Sequence, residues 1–495
     1  MGFALHRAVR SPLRFWCTRM FTCLLAAAPA GACSPDAPPS KPGQPVGWDV
    51  AARLPEAVDR DVSPDVLEVD LEARVASIQI VPGGPTPVWT YNGQLPGPLL
   101  RAPVGARVIV HFTNNLPEET TIHWHGVRLT ADMDGVPAHS QPAVPPGGSF
   151  DYAFTVPDSG LYWYHPHVRS ARQVGDGLYG ALLVEPRPAP AVREEPDGLG
   201  DPLVLVLSDI GVNDDGTLLD REAGGDLLKL FGGEGTVVLV NGKIAPVVQA
   251  RRGLRQRWRI VNAATSRYFQ LAMTGHSFVR IGGDGGLLAA PEESQRLLLT
   301  PGQRADVLVT PQGEPGTRVP VRWVPYDRGF GSAEFRPEVD AFIVQIADDE
   351  PVVSGPIPNV LRQIAPLDTA GAVARAIALT QATVDDKLVL GIDGVPAWAA
   401  EPLTARVGDT EIWTVTNEMA WDHPFHLHGF FFQAVDPLTK AVPARPEWRD
   451  TLNVPRMESA AFVVRYDDRP GMWMFHCHIL DHADAGMMGM VHLSR

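Results

Sequence analysis

The segment His476-Cys477-His478-Ile479-Leu480-Asp481-His482, followed by Met487, gathers one thiolate, three imidazoles and a thioether into twelve residues. Two imidazoles and a thiolate with a weak axial thioether make the trigonal donor set of an electron-transfer copper, since soft sulfur favours copper over calcium or magnesium. On an extended strand neighbouring side chains diverge, so His476 and His478 face away from Cys477 and one segment can serve two sites. Three more imidazole pairs lie upstream: His123-Trp124-His125, His165-Pro166-His167 and His426-Leu427-His428, the last preceded by His423. Each His-x-His sets both rings on one strand face, which suits closely spaced metals. A single such pair is as readily a core or surface feature. Ten of the fifteen histidines in four clusters, one interleaved with a cysteine, form a metal pattern. His111, His139, His276 and His492 belong to no cluster and are read as non-ligands.

The elements that must position these residues are legible as a degenerate repeat. Three stretches run from Gly to Asn over the same spacing, Gly105 to Asn114, Gly253 to Asn262 and Gly408 to Asn417, and each follows a turn signal: Asn92-Gly93, Asn241-Gly242 and Asp393-Gly394. Starts 148 and 155 residues apart give a domain spacing. Alternation such as Val108/Val110/Phe112 has the period of a half-buried strand. Short strands among 47 Gly and 47 Pro predict β-sandwich domains. Histidines follow the first and third repeats, whereas Asn262 is followed by Ala-Ala-Thr-Ser-Arg-Tyr-Phe-Gln. The middle unit is therefore expected to be a copper-free spacer, with the outer two meeting at a shared interface.

The chain has 495 residues, 45% apolar and 20% charged, which suits about three globular domains. Residues 1–32 read as a signal peptide: Arg7, Arg10, Arg14 and Arg19 precede an apolar run, and Ala30-Gly31-Ala32-Cys33 resembles a lipoprotein cleavage box without its usual leucine. An exported protein in the periplasm or cell envelope is expected, with a lipid anchor at Cys33 as one alternative. Removing the leader's arginines takes the net charge from −15 to −19, which disfavours nucleic acid and anionic membranes as partners. No later apolar stretch is long enough to span a bilayer. Of four cysteines only Cys477 stays in the folded body, so no disulfide is expected there.

In order, HWHG (123–126), HPH (165–167), HPFHLHG (423–429) and HCHILDHADAGM (476–487) resemble the motifs of three-domain multicopper oxidases, the family of laccases and bacterial cuprous oxidases, from about Val66 to the end. The resemblance implies an all-β chain of three consecutive cupredoxin-like Greek-key β-sandwich domains at 61–187, 200–348 and 370–495, after a Pro-rich tether at 33–60. It implies four copper ions. A type 1 copper takes His423, Cys477 and His482, with Met487 selected by family spacing over Met488 and Met490, which are read as core packing. One type 2 copper takes His123 and His426. Of the type 3 pair, one ion takes His125, His165 and His478, the other His167, His428 and His476. Such an enzyme couples four one-electron oxidations of a small donor, a phenol or aromatic amine, to reduction of dioxygen to water.

Asp134 matches a family carboxylate that donates protons or orients ligands at the cluster, and it also reads as an Asp-Gly turn residue. Asp422, beside His423, reads either as an acid at the donor's exposed edge or as a turn cap. Many bacterial members carry Glu after the second type 1 histidine. This chain has Ala483 and then Asp484, a weak substitute. The competing readings are a cuprous oxidase of periplasmic copper detoxification, although no Met-rich insertion is visible, and a copper-binding protein without turnover. The expected partners are the small-molecule electron donor and dioxygen, and the expected state is a monomer.

Overall fold

The three Gly-to-Asn repeats fold into matching strands, Arg107–Asn115, Gln256–Asn262 and Thr410–Asn417. Each pairs in parallel with an earlier strand of its own unit: Val66–Ile78, Pro202–Ile210 and Val373–Val384. The closing asparagines perform one job three times. Asn114, Asn262 and Asn417 donate through Nδ2 to carbonyls of the following loop. Their Oδ1 atoms accept from the backbone N–H two residues on, at Leu116, Ala264 and Met419. The turn signals are as regular. Asn92-Gly93, Asn241-Gly242 and Asp393-Gly394 all have positive φ at both residues, the tight hairpin turn that Asn or Asp before Gly adopts readily.

The computed structural model describes residues 43–187, 195–196, 198–329, 333, 336–384 and 387–495. The expected leader 1–32, Cys33 and the tether up to residue 42 lie outside the described residues. Six sheets form three sandwiches. In the first unit Thr86–Tyr91, Val66–Ile78, Arg107–Asn115 and Ser149–Thr155 lie side by side, facing a sheet of Leu100–Pro103, Gly180–Glu185, Gly160–His165 and His123–His125. In the third, the sheet Leu403–Arg406, Met488–Ser494, Gly471–Cys477, His423–Leu427, Thr451–Val454 carries the candidate ligands His423, His426, His476 and Cys477. The fold is all-β with cupredoxin-like Greek-key sandwiches.

Buried residues of the first and third units, from Leu67 to Val184 and from Ile377 to Leu493, form one continuous apolar cluster, and the middle unit has its own around Trp258, Phe269 and Phe342. Among the described residues three short α-helices interrupt the strands: α1 (Ser170–Gly175), α2 (Gly225–Phe231) and α3 (Leu480–Asp484). No helix among the described residues is long and apolar enough to cross a membrane.

The tether expectation needs correcting in its second half. Ala52 and Leu54 are buried, Trp48 packs on the middle unit's core, and the Ala52 carbonyl accepts a hydrogen bond from Asn241 Nδ2. Apolar side chains spaced through 48–54 fasten this stretch down, so it is part of the folded body.

Candidate metal centre

Strand pairing decides which side chains meet. His123–His125 runs against Gly160–His165 with His123 opposite His165, and His423–Leu427 runs against Gly471–Cys477 with His426 opposite His476 and Phe425 opposite Cys477. Alternation then turns Cys477 and Phe425 into the third unit's core, and His426 and His476 toward the first unit. His123 stacks on His428 and His125 on His426, each pair with ring centres 3.8 Å apart. Eight buried imidazoles from two sandwiches thus converge.

Their donor atoms fall into compact groups. Those of His125, His165 and His478 lie within 4.8 Å of one another, as do those of His167, His428 and His476. His123 and His426 form a third group in which His125 is also within reach.

Hydrogen bonds from the other ring nitrogen aim several of these donors inward. Nδ1 of His123, His426, His165 and His476 faces the carbonyl oxygens of Asp134, Asp450, Pro166 and Cys477 at 2.8, 2.8, 3.1 and 2.8 Å. An N–H given to a carbonyl fixes the tautomer and leaves Nε2 as a lone pair. Nε2 of His123, His165, His167 and His426 is buried without a hydrogen-bond partner among the described residues. Elsewhere ring nitrogens face each other, His428 Nε2 and His476 Nε2 at 3.1 Å, His125 Nδ1 and His478 Nε2 at 3.2 Å. Burial, reinforced by neighbouring imidazoles, pushes His125, His165, His167, His428, His476 and His478 well below the ordinary histidine range, so they stay neutral. Leaving a buried polar atom unsatisfied costs about 1–3 kcal/mol. A set of buried, neutral, inward-facing lone pairs fits metal ions.

The second site is a triangle. His423 Nδ1 is 3.3 Å from Cys477 Sγ, His482 Nδ1 is 3.5 Å from Sγ, and the two nitrogens are 3.2 Å apart. The centre of such a triangle lies roughly 1.9 Å from each corner, close to the ~2.0–2.3 Å bonds that nitrogen and sulfur make to a first-row ion. Met487 is fully buried in the same core, whereas Met488 and Met490 are only partly covered. Burial pushes the Cys477 thiol up and His423 down to about 3, with Arg328 adding to the latter. The thiol therefore keeps its proton until a metal displaces it. The donor chemistry is that of copper.

The carboxylates turn out differently from one another. Asp134 is buried at the cluster: Oδ2 accepts from His428 Nδ1 at 2.7 Å, and Oδ1 lies 3.3 Å from His123 Nδ1. Burial pushes its pKa up, with His123 opposing. Asp422 is not at an exposed edge. Only 4% accessible, it accepts hydrogen bonds from Tyr326 Oη, Asn453 Nδ2 and the Arg456 backbone, which corrects the expectation of a donor-side acid. Asp484 does not replace the missing glutamate either. Its two oxygens accept the backbone N–H groups of Ser170 and Ala171 and so cap α1. The non-cluster His111 bridges Glu68 and Asp151.

Four residues escape the sequence reading. Asp450 clasps Arg304 through both oxygens, at 2.7 and 2.5 Å, and its Oδ1 lies 3.3 Å from His125 Nε2. Gly302 lies so close that a Cβ there would meet His478 at 2.9 Å and His125 at 3.1 Å. The Leu230 carbonyl, at the end of α2, accepts His482 Nε2–H at 3.1 Å. Arg304, Gly302 and Leu230 belong to the middle unit, so the spacer reading is incomplete: that unit has no ligand candidate among its described residues, yet it lines both sites. The Thr300-Pro301-Gly302 turn carries a local signal, but Asp450 and Arg304 are 146 residues apart and nothing local pairs them.

Family models described as multicopper oxidase match residues 74–189, 203–318 and 375–494. The chain is 32% identical over 440 residues to multicopper oxidase MmcO of Mycobacterium tuberculosis, covering 82% of this chain and 83% of that protein. The chain belongs to the multicopper oxidase family. This multicopper oxidase is also 26% identical to a laccase of Bacillus subtilis over 82% of its length and 90% of the relative's. In three dimensions it resembles a multicopper oxidase of Campylobacter jejuni described as a metallo-oxidase, with a TM-score of 0.78, 26% identity, and coverage of 89% of this chain and 94% of that one. It is a copper-dependent oxidoreductase.

Proposed function

We propose that this oxidase withdraws single electrons from a phenol or aromatic amine at the His423/Cys477/His482/Met487 site and delivers them to dioxygen at the eight-histidine site. Bound copper supplies the one-electron storage and the reduction of dioxygen to water. One observation carries the reading: Cys477 Sγ belongs to the triangle with His423 and His482, while its chain neighbours His476 and His478 belong to the trios of the cluster. Two peptide bonds therefore join the sites, and the chain itself supplies the electron path. Asp134 holds His428 and His123 in place, and burial raises its pKa, which favours proton exchange beside the cluster. Arg304 and Asp450 fix the rear of His125.

A cuprous-ion donor is the second reading, and the cover over His482 favours it. Its Nε2 faces the Leu230 carbonyl, so a bulky ring has no direct path to that edge. On either reading the protein is read as an exported monomer with domains at 61–187, 200–348 and 370–495. Oxygen consumption over a donor panel of phenols, aromatic amines and cuprous ion tests the assignment. Turnover of organic donors above that of cuprous ion supports the first reading, turnover of cuprous ion alone the second, and none with any donor leaves the non-turnover protein.

A further inference from the structure

We infer that the cavity where the first unit, the segment 362–367 and the third unit meet is a binding site for a single-ring aromatic carboxylate. It holds about 260 Å³, with Phe430, Phe431 and Trp448 among its walls and Arg128, Arg362 and Arg465 around it. Two acids also line it, Asp158 and Asp467. Both are already engaged. Asp158 holds Arg128 through two hydrogen bonds at 2.6 and 2.8 Å, and Asp467 holds Arg469 at 2.6 and 2.8 Å. Arg362 and Arg465 make no ion pair among the described residues. Arg362 gives one N–H to the Gly285 carbonyl at 2.9 Å, which fixes its guanidinium at the rim. Two uncompensated guanidiniums in a chain of net charge −15 are a local excess of positive charge against a repelling background.

The walls select what the anion is attached to. A guanidinium presents a planar fork that matches a carboxylate, and aromatic walls favour a ring that can stack or meet them edge-on. Phe430 is fixed beforehand: it packs edge-on against Trp473 at 5.0 Å and Tyr466 at 5.2 Å, with the Arg469 guanidinium 4.5 Å from its ring centre. Ordering cost on binding is correspondingly low. The volume lies just under the ~300–1,000 Å³ of sites for drug-sized ligands, so one ring fits and an extended molecule does not. No wall residue is a metal-ligand candidate, and the site stands whether or not the donor assignment holds.

Benzoate is the probe, since it has the ring and the charge but no oxidisable hydroxyl. Titrating the copper-loaded full chain with benzoate, by calorimetry and tryptophan fluorescence, is expected to give saturable one-to-one binding. Benzamide and cyclohexanecarboxylate should bind about tenfold more weakly or worse, a difference of about 1.4 kcal/mol. R362Q/R465Q should lose benzoate binding by at least the same factor while keeping its blue colour and donor oxidation, and W448F should lose the fluorescence response but not the heat. Absence of saturable binding at millimolar benzoate overturns the inference, as does equal affinity for benzamide or undiminished affinity in R362Q/R465Q.

Discussion

Cys477 is buried in the donor triangle with His423 and His482, and its chain neighbours His476 and His478 belong to the other donor groups. Serine there keeps the volume and removes the soft ligand. C477S is therefore expected to lose the intense thiolate-to-copper absorption and all donor oxidation, with an unchanged far-ultraviolet spectrum; donor oxidation by C477S would contradict the electron path. Asp134 works through its neighbours. Asparagine keeps an oxygen for His428 Nδ1–H but cannot ionise or exchange a proton. D134N should retain the blue absorption while oxygen uptake falls about 10–100-fold, the usual cost of removing a group that orients a metal ligand. Uptake at the wild-type rate would reduce Asp134 to a turn residue.

At the scale of elements, the ligand strands were readable because metal sites demand particular side chains at fixed parity. HWH, HPH, HLH and HCH state both the residue type and the face, and the Gly-to-Asn repeat states where the strands recur. The burial of Asp422 and the capping of α1 by Asp484 were not readable because a carboxylate's partner is not written beside it: Tyr326 is 96 residues from the first, and Ser170 is 314 from the second. The cover of the donor edge was invisible for the same reason. α2 is a short helix that starts at Gly225 and stops before Gly232-Gly233, and its end is held by Phe231, whose ring lies 5.2 Å from Trp421 and whose carbonyl accepts from Arg328. Removing that ring loosens the helix without touching a ligand. F231A is expected to raise kcat/KM for bulky phenols several-fold relative to small ones, and parallel changes for both would show that α2 does not gate access.

At the scale of the whole molecule, the middle unit acts as a clamp. Arg304 reaches from it to Asp450 of the third unit, and Asp284 accepts the Arg304 backbone N–H at 2.9 Å. Burial opposes ionisation of both acids. Arg304 outweighs it at Asp450, whose carboxyl is held low, but not at Asp284, which is pushed up to about 7 with the Asp450 charge adding to the shift. Between roughly pH 4 and 7 the folded protein then binds more protons at Asp284 than the unfolded chain, so this group's contribution to stability falls as pH rises. D284N cannot titrate. The unfolding free energy of wild type minus that of D284N should decline across this window by up to about 1.4 kcal/mol per pH unit, and a flat difference would remove the assignment. The central claim, that two joined copper centres collect four electrons for each dioxygen, is tested most directly by the ratio of donor oxidised to oxygen consumed in the copper-loaded protein. Four one-electron oxidations per dioxygen with no hydrogen peroxide is the expected result. Two per dioxygen with stoichiometric peroxide would mean that the eight histidines do not work as one centre.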